Sequence, residues 1–565
     1  MTAETPTVGG AGAGGRALSH WLPIADWLPA YRPEWLRFDA IAAITSWALI
    51  VPQAIAYAQI AGLPPPAGLA AAAAGLLAYG LLGTSKQLLV SPTSSTAAIS
   101  AALVGTVAAG DAAQVGHLSS ALAILVGLTF VILGLARIGF VSRFIPTAVQ
   151  VGFMFGLGLT ILTGQLTKIL GIGGVSGSFV DEARGLLGEL GGISWVTALV
   201  GVLALAALIL GRRLVPNLPM ALIVVVVSIV TVTILDLAAR GVAVIGDVQA
   251  GFPLPALPLV GAQDFLALVP GAVAISMIGS AESLTVAQQF ADEHRDEIRA
   301  DQELIANGGA NVLSGLFQGF IVGGGASQSA ANDHAGARTP VASILVAALT
   351  AVTAVALLPL FRNLPDAVLG AIVISAVLGF LRLDELRRIA TLRRDSFVLA
   401  LVALVATLLL GILPGLIVAV ILSLLLLLVR LARPTTTEVG RRPDGTMGVM
   451  GDADAAPIPG LLFIRLDAPL LFLNAALLRD QVRAQIRAAE TPPQVVIVDL
   501  EASSELDVES LDLLRRIAEQ ARENGAELWL ADVRPGVAEM LGRAGIDPET
   551  GAPRWFRRSR DAIAA

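Results

Sequence analysis

Apolar runs, most of about 18 to 25 residues, succeed one another through the first three quarters of the chain, and each such run can cross roughly 30 Å of hydrocarbon as a helix. They fall near residues 38–60, 66–83, 91–109, 118–138, 144–164, 194–211 and 218–236. A second set falls near 265–290, 303–321, 324–333, 341–360, 366–381, 396–411 and 413–430. About 14 spans follow, because backbone in a bilayer must satisfy its own hydrogen bonds and a helix does so within one segment. The chain is 55% hydrophobic and 14% charged, against about a quarter charged in soluble domains. Its 58 glycines suit helices that pack closely in lipid.

The ends read differently. Met1 to Gly15 is Gly-, Ala- and Thr-rich and predicts disorder, while Trp21 to Trp35 is broken by Pro23, Pro29 and Pro33. Neither has the form of a cleaved signal, so the N-terminus is expected to stay on the side where it was made. Lys86, Arg137, Arg143, Arg212, Arg213, His294, Arg295, Arg299 and Arg338 then share that side. So do Arg382, Arg387, Arg388, Arg393, Arg394, Arg430 and Arg433, whereas the opposite loops hold chiefly Lys168, Arg184, Arg240 and Arg362. The positive-inside rule makes both termini cytoplasmic and the number of spans even.

Beyond Arg433 the texture becomes that of a soluble α/β domain. Residues 434–459 are polar and Gly/Pro-rich and predict a linker. Leu461–Arg465, Val495–Leu500 and Glu527–Ala531 then read as strands, alternating with helices at Ala475–Ala488, Val508–Glu523 and Val537–Arg543. The expected division is a cytosolic segment 1–36, a transmembrane domain 37–432 with halves 37–240 and 262–432, a linker 433–458 and a cytosolic domain 459–565.

Two spans are abnormal. Residues 91–98 read Ser-Pro-Thr-Ser-Ser-Thr-Ala-Ala, and 322–330 read Val-Gly-Gly-Gly-Ala-Ser-Gln-Ser-Ala. Interrupted backbone at bilayer depth survives only where it lines a cavity, and paired interrupted spans mark a transporter's central site. The pairs correspond: Glu282 lies 229 positions after Gln53, and Ser327 lies 232 after Ser95. Two halves of seven spans must run in opposite directions, which gives an inverted repeat. If each interrupted segment feeds a short helix, two N-termini with free amides and positive dipole ends face one another and form an anion site. Ser94, Ser95, Thr96, Ala326, Ser327 and Gln328 are its expected lining, with side-chain donors from Ser95, Ser327 and Gln328.

Glu282 is the other candidate. It stands in the otherwise uncharged stretch Ala272–Val286, where a carboxylate is costly and functional by default. Desolvation disfavours its charged form, which suits it to taking up and releasing a proton. A structural carboxylate satisfied by Ser283 or a neighbouring helix is the competing reading.

Enzyme classes find no support. The chain has no cysteine and only four histidines, none at metal-ligand spacing. It shows no nucleophile–base pair and no phosphate loop, so no metal and no cofactor is expected. No basic stripe with aromatics suggests nucleic acid.

The run Pro52-Gln53-Ala54-Ile55-Ala56-Tyr57-Ala58-Gln59-Ile60-Ala61-Gly62-Leu63-Pro64-Pro65 resembles the first-span signature of the SulP family, the sulfate permease and prestin-like anion transporters. Gly319–Pro340, with Gly-Ala-Ser-Gln-Ser-Ala-Ala-Asn-Asp and then Gly336-Ala337-Arg338-Thr339, is similar to that family's tenth-span region. The C-terminal domain resembles a STAS domain, an anti-sigma-antagonist-like module. The resemblance implies a 7+7 fold of core and gate domains that alternate access, a homodimer, and Gln53 and Tyr57 at the substrate site. It also implies residence in a cell membrane, expected to be a bacterial inner membrane. Three departures stand out. Gln328 replaces the Arg that many members carry after the residue matching Ser327. Glu282 replaces the Asp of sodium-coupled bicarbonate members, and Val286 their hydroxyl one turn later, which favours proton over sodium coupling. Asp507-Val508-Glu509-Ser510 lacks the hydroxyl of the phosphorylated Asp-Ser-Ser-Gly motif. The expected function is proton-coupled symport of sulfate or a small dicarboxylate. The alternatives are an uncoupled chloride or bicarbonate channel or exchanger, a membrane sensor signalling through the STAS domain, and a nucleobase permease, which would lack such a tail.

Overall fold

A computed structural model describes residues 22–565 except 138–145, 173–178, 216–217, 249, 434, 445, 453, 490 and 547–552. The expected disorder of Met1 to Gly15 and the loop cation Arg143 therefore lie outside the described residues. The chain divides into two compact units, Met1–Ser423 and Leu424–Ala565.

A helix meets every expected span. The first half contains α1 (Leu36–Ile60), α2 (Pro65–Leu82), α3 (Ser94–Ala108), α4 (Ala112–Leu135), α5 (Thr147–Leu170), α6 (Trp195–Leu214) and α7 (Met220–Leu235). The second contains α8 (Ala262–His294), α9 (Ala300–Leu316), α10 (Ala326–His334), α11 (Val341–Val352), α12 (Asp366–Val377), α13 (Arg394–Leu410) and α14 (Ile412–Ala432). Among the described residues, eight helical stretches are by themselves long and apolar enough to cross a membrane. α3 and α10 are not among them: their 15 and 9 residues span only about 22 and 14 Å. Each is preceded by a short strand, β1 (Val90–Ser91) and β2 (Gly323–Gly324), and these pair antiparallel. Two amphipathic helices that hydropathy does not reveal, Phe179–Gly188 and Leu383–Leu392, lie between spans.

The helices sort into two bundles: α1–α4 with α8–α11, and α5–α7 with α12 and α13. α1 lies at the seam, where it also touches α7 and α12. Glycine sets the close approach inside the first bundle. A Cβ on Gly127 of α4 would fall 2.7 Å from the Gly308 carbonyl oxygen of α9, and one on Gly308 as close to that of Gly127. Leu199, Leu203, Val227 and Ile234 point outward from α6 and α7, an apolar exterior that lipid covers at no cost.

The C-terminal unit builds a six-stranded sheet in the order β4-β3-β5-β6-β7-β8. Its strands are β3 (Thr436–Arg441), β4 (Met447–Val449), β5 (Leu461–Leu466), β6 (Val495–Asp499), β7 (Glu527–Ala531) and β8 (Arg554–Trp555). β5 to β8 run parallel, and α15 (Ala475–Ala488), α16 (Val508–Glu523) and α17 (Pro535–Arg543) fall between them in the chain. The expected linker is corrected here: β3 pairs antiparallel with β5, and β4 with β3. The β-branched Thr436, Thr437 and Val439 favour extended backbone, a signal hidden by the surrounding glycines and prolines.

Asp507 caps α16, accepting hydrogen bonds from the Ser510 amide at 2.8 Å and the Phe472 amide at 2.6 Å. Its carboxylate thus has a structural role, and Ser510 is buried, which suits the reading that this stretch carries no phospho-switch.

Asp499, at the end of β6, is buried, and that burial pushes its carboxyl up to about 6, with Asp532 and Glu501 adding to the rise against the Glu501 amide bond. A raised carboxyl favours the protonated fold. Its contribution to the domain's stability is therefore greatest below about pH 4, and up to about 3 kcal/mol of it is lost as pH rises from about 4 through about 6. Asp499→Asn keeps an acceptor for the Glu501 amide and should remove that loss. Urea melts of the isolated domain at pH 5 and 7.5 test this; identical pH dependence in both proteins would exclude it.

Candidate functional site: two helix N-termini and a carboxylate

The strand pair places α3 and α10 start to start. Val90 lies opposite Gly324 and Ser91 opposite Gly323, and the Gly325 amide donates to the Leu89 carbonyl at 3.1 Å. Asn311 of α9 satisfies both backbone groups of Val322, at 2.9 and 3.0 Å, and the Ser283 hydroxyl of α8 accepts from the Gly324 amide at 3.0 Å. Gly324 has no room for a side chain: a Cβ would sit 3.0 Å from both Leu88 and the Ser283 hydroxyl. These polar contacts let non-helical backbone persist where lipid would forbid it.

The two N-termini are finished differently. α3 is closed by a capping box in which the Thr93 hydroxyl accepts from the Thr96 amide at 3.2 Å and the Thr96 hydroxyl from the Thr93 amide at 3.1 Å. α10 starts after Gly325 with no side-chain cap, and Ala326 and Ser327 are exposed there. An uncapped helix start with open space before it offers free amides and the positive dipole end to an anion.

Glu282 adjoins the other start. Its carboxylate accepts a hydrogen bond from the Ser95 hydroxyl at 3.3 Å, and that hydroxyl lies 2.9 Å from the Thr93 hydroxyl. Ser283, its neighbour in sequence, is occupied with Gly324, so the expected structural partner is not the one found. Glu282 is of intermediate exposure, and Val273, near the start of the uncharged stretch Ala272–Val286, points outward. The carboxylate thus meets the N-terminal turn of α3, on a helix whose Ile275, Ile278 and Ala281 are buried.

The remaining candidates divide by their partners. Gln328 is buried: its amide nitrogen donates to Gln53 at 2.9 Å and to the Pro92 carbonyl at 3.1 Å, and its oxygen accepts from Ser91 at 2.5 Å. Gln53 and Gln328 therefore brace α1, β1 and α10 together, and Thr96 serves the capping box. Tyr57 is buried against Ser94. Ala326 and Ser327 are the residues left exposed, whereas Ser95 is buried on Glu282 and Thr93. Ser91 and Thr93 of the interrupted segment, and Ser283, frame the site without having been read as part of it, and Asn311 was not anticipated at all, although an amide within a span is the signal that could have revealed it. Lys168, expected in a loop, is in the last turn of α5 and half-buried.

Comparison with known proteins gives the family and the fold. Residues 36–406 match the sulfate permease family and residues 452–562 the STAS domain. The probable sulfate transporter MT1781 of Mycobacterium tuberculosis is 35% identical over 96% of this chain and 98% of its own. High affinity sulfate transporter 2 of Stylosanthes hamata is 27% identical over 97% of this chain and 86% of its own. The murine Solute Carrier 26 family member A9 anion transporter, solved in an inward-facing state, superposes with TM-score 0.90 at 22% identity over 99% of this chain and 96% of its own. The transmembrane domain of the cyanobacterial bicarbonate transporter BicA gives TM-score 0.61 at 22% identity over 69% of this chain and 98% of its own. With its interrupted spans paired and a STAS domain at its end, the chain belongs to the sulfate permease family of membrane anion transporters.

Proposed function

We propose that this chain is a secondary transporter that carries an anion together with a proton, sulfate or a small dicarboxylate being the cargo. The observation that carries the reading is the asymmetry of the two helix starts. The α10 terminus is uncapped beside the exposed Ser327, whereas the α3 terminus has Glu282 hydrogen-bonded to Ser95. An ionised Glu282 and an anion compete for one small region. At about 5 Å and an effective dielectric of about 20, their repulsion is about 3 kcal/mol. Protonation of Glu282 removes it, so proton and anion bind as a pair. Alternating access follows from the two bundles, the first holding the site and moving against the second. The basic loops support cytoplasmic termini. The names of the Mycobacterium and Stylosanthes relatives favour sulfate as cargo.

Uptake into proteoliposomes with sulfate, bicarbonate, chloride, fumarate and succinate, with and without an inward proton gradient, tests this. A proton-stimulated signal for sulfate or a dicarboxylate is expected, together with acceleration by the same anion inside. Uptake indifferent to both would favour an uncoupled channel.

A further inference from the structure

We propose that Gln59, Lys168 and Asp366 form a latch that closes one side of the anion site, so that all three are gating residues. The proposal rests on the alternating-access reading above. α1 belongs to the site-bearing bundle and is fixed there by Gln53, which holds Gln328. Six residues further along the same helix, about 9 Å at the α-helical rise, Gln59 leaves that bundle. Its amide nitrogen donates to the Asp366 carboxylate at 3.0 Å, and its amide oxygen accepts from the Lys168 ammonium at 3.3 Å. Asp366 opens α12 and Lys168 sits in the last turn of α5, both in the second bundle. One neutral side chain therefore joins the two bundles by bonds to two opposite charges.

The ion pairs near the other end of α1 do not play this part. His294–Asp333 at 2.6 Å and Lys86–Asp296 at 2.7 Å join pieces of the first bundle to each other. So does Asp39, which accepts from the Arg338 and Thr339 amides at 2.8 and 3.1 Å. Those contacts can persist when the bundles slide, whereas the contacts of Gln59 cannot. An amide is well suited to such a latch, because it satisfies a cation and an anion at once, leaves no net charge at the seam, and commits a single hydrogen bond to each.

The test exploits a chain without cysteine. Ser327→Cys places a lone thiol on the exposed start of α10, and a charged, membrane-impermeant maleimide is added on the side where α1 ends. Lys168→Met, which loses one charge-assisted hydrogen bond, should raise the labelling rate about tenfold, and Gln59→Ala, which loses both, should raise it by at least as much. Unchanged rates in both, with normal gel-filtration profiles, would overturn the latch. Should either variant fail to fold, Gln59→Cys with Asp366→Cys supplies a second measurement. Joining the two by a short cleavable thiol cross-linker should abolish sulfate counterflow, and cleavage should restore it. Full counterflow in the cross-linked protein would equally overturn the proposal. Absence of trans-acceleration in the unmodified protein would instead overturn alternating access, while thiol labelling still decides whether the latch closes the site.

Discussion

Glu282→Gln is expected to keep anion exchange and lose proton-driven accumulation. Glutamine has the shape of the protonated acid and can still accept from Ser95, whose hydroxyl now donates to the carboxylate at 3.3 Å. It cannot ionise, so the repulsion that ties anion binding to proton uptake is permanently absent. Counterflow in the variant should match the parent at low pH and become nearly independent of pH. Accumulation against a gradient should fall to the background of empty liposomes, because no group remains to carry the proton. The sign follows from the carboxylate: in the parent, lowering pH neutralises Glu282 and helps the anion bind, so uptake rises with acidity. A purely structural Glu282 predicts either an unstable variant or one that accumulates normally. Gradient-driven uptake and counterflow, measured on one purified preparation, separate these outcomes. Preserved accumulation would move the proton to another carrier.

Much of this was legible in the sequence because lipid imposes strict rules on backbone. Fourteen apolar segments met fourteen helices, and the paired interruptions at Ser94–Thr96 and Ala326–Gln328 mark the starts of α3 and α10. What the sequence hid were matters of partner choice. Gln328 and Gln53 read as ligands, since buried amides at a cavity often are. In the fold they satisfy each other, and only contacts between residues 275 positions apart reveal it. Lys168 read as a loop cation because a lysine near a span's end usually snorkels to the interface. It is instead held by Gln59 of α1. β3 and β4 were lost among glycines and prolines, because a strand added at a sheet's edge needs little apolar pattern of its own. Asp39 and Glu303 also passed unnoticed. Both are fully buried carboxylates, and Glu303 accepts from the Tyr79 hydroxyl, the Thr84 amide and hydroxyl, and the Ser85 amide. Satisfied in this way they are structural, and that property is set by neighbours rather than by residue type.

Ser327→Asp should separate stability from transport, moving them in opposite directions. Ser327 is the second residue of α10, a position where a carboxylate adds about 0.3–1 kcal/mol by complementing the helix dipole. The helix start has no side-chain cap, so the new carboxylate also finds free amides to accept from. The protein should therefore melt no lower than the parent, and slightly higher. Transport should nearly vanish, because the fixed negative charge occupies the place proposed for the anion. A repulsion of about 3 kcal/mol at about 5 Å and an effective dielectric of about 20 corresponds to an affinity loss of roughly 100-fold or more. Ser327→Asn is the control, similar in size and without charge, and should retain uptake within a few-fold. A dead Asn variant would assign the loss to bulk rather than charge. An active Asp variant would show that the anion never reaches the start of α10, and the site would have to be sought around Ser95 alone.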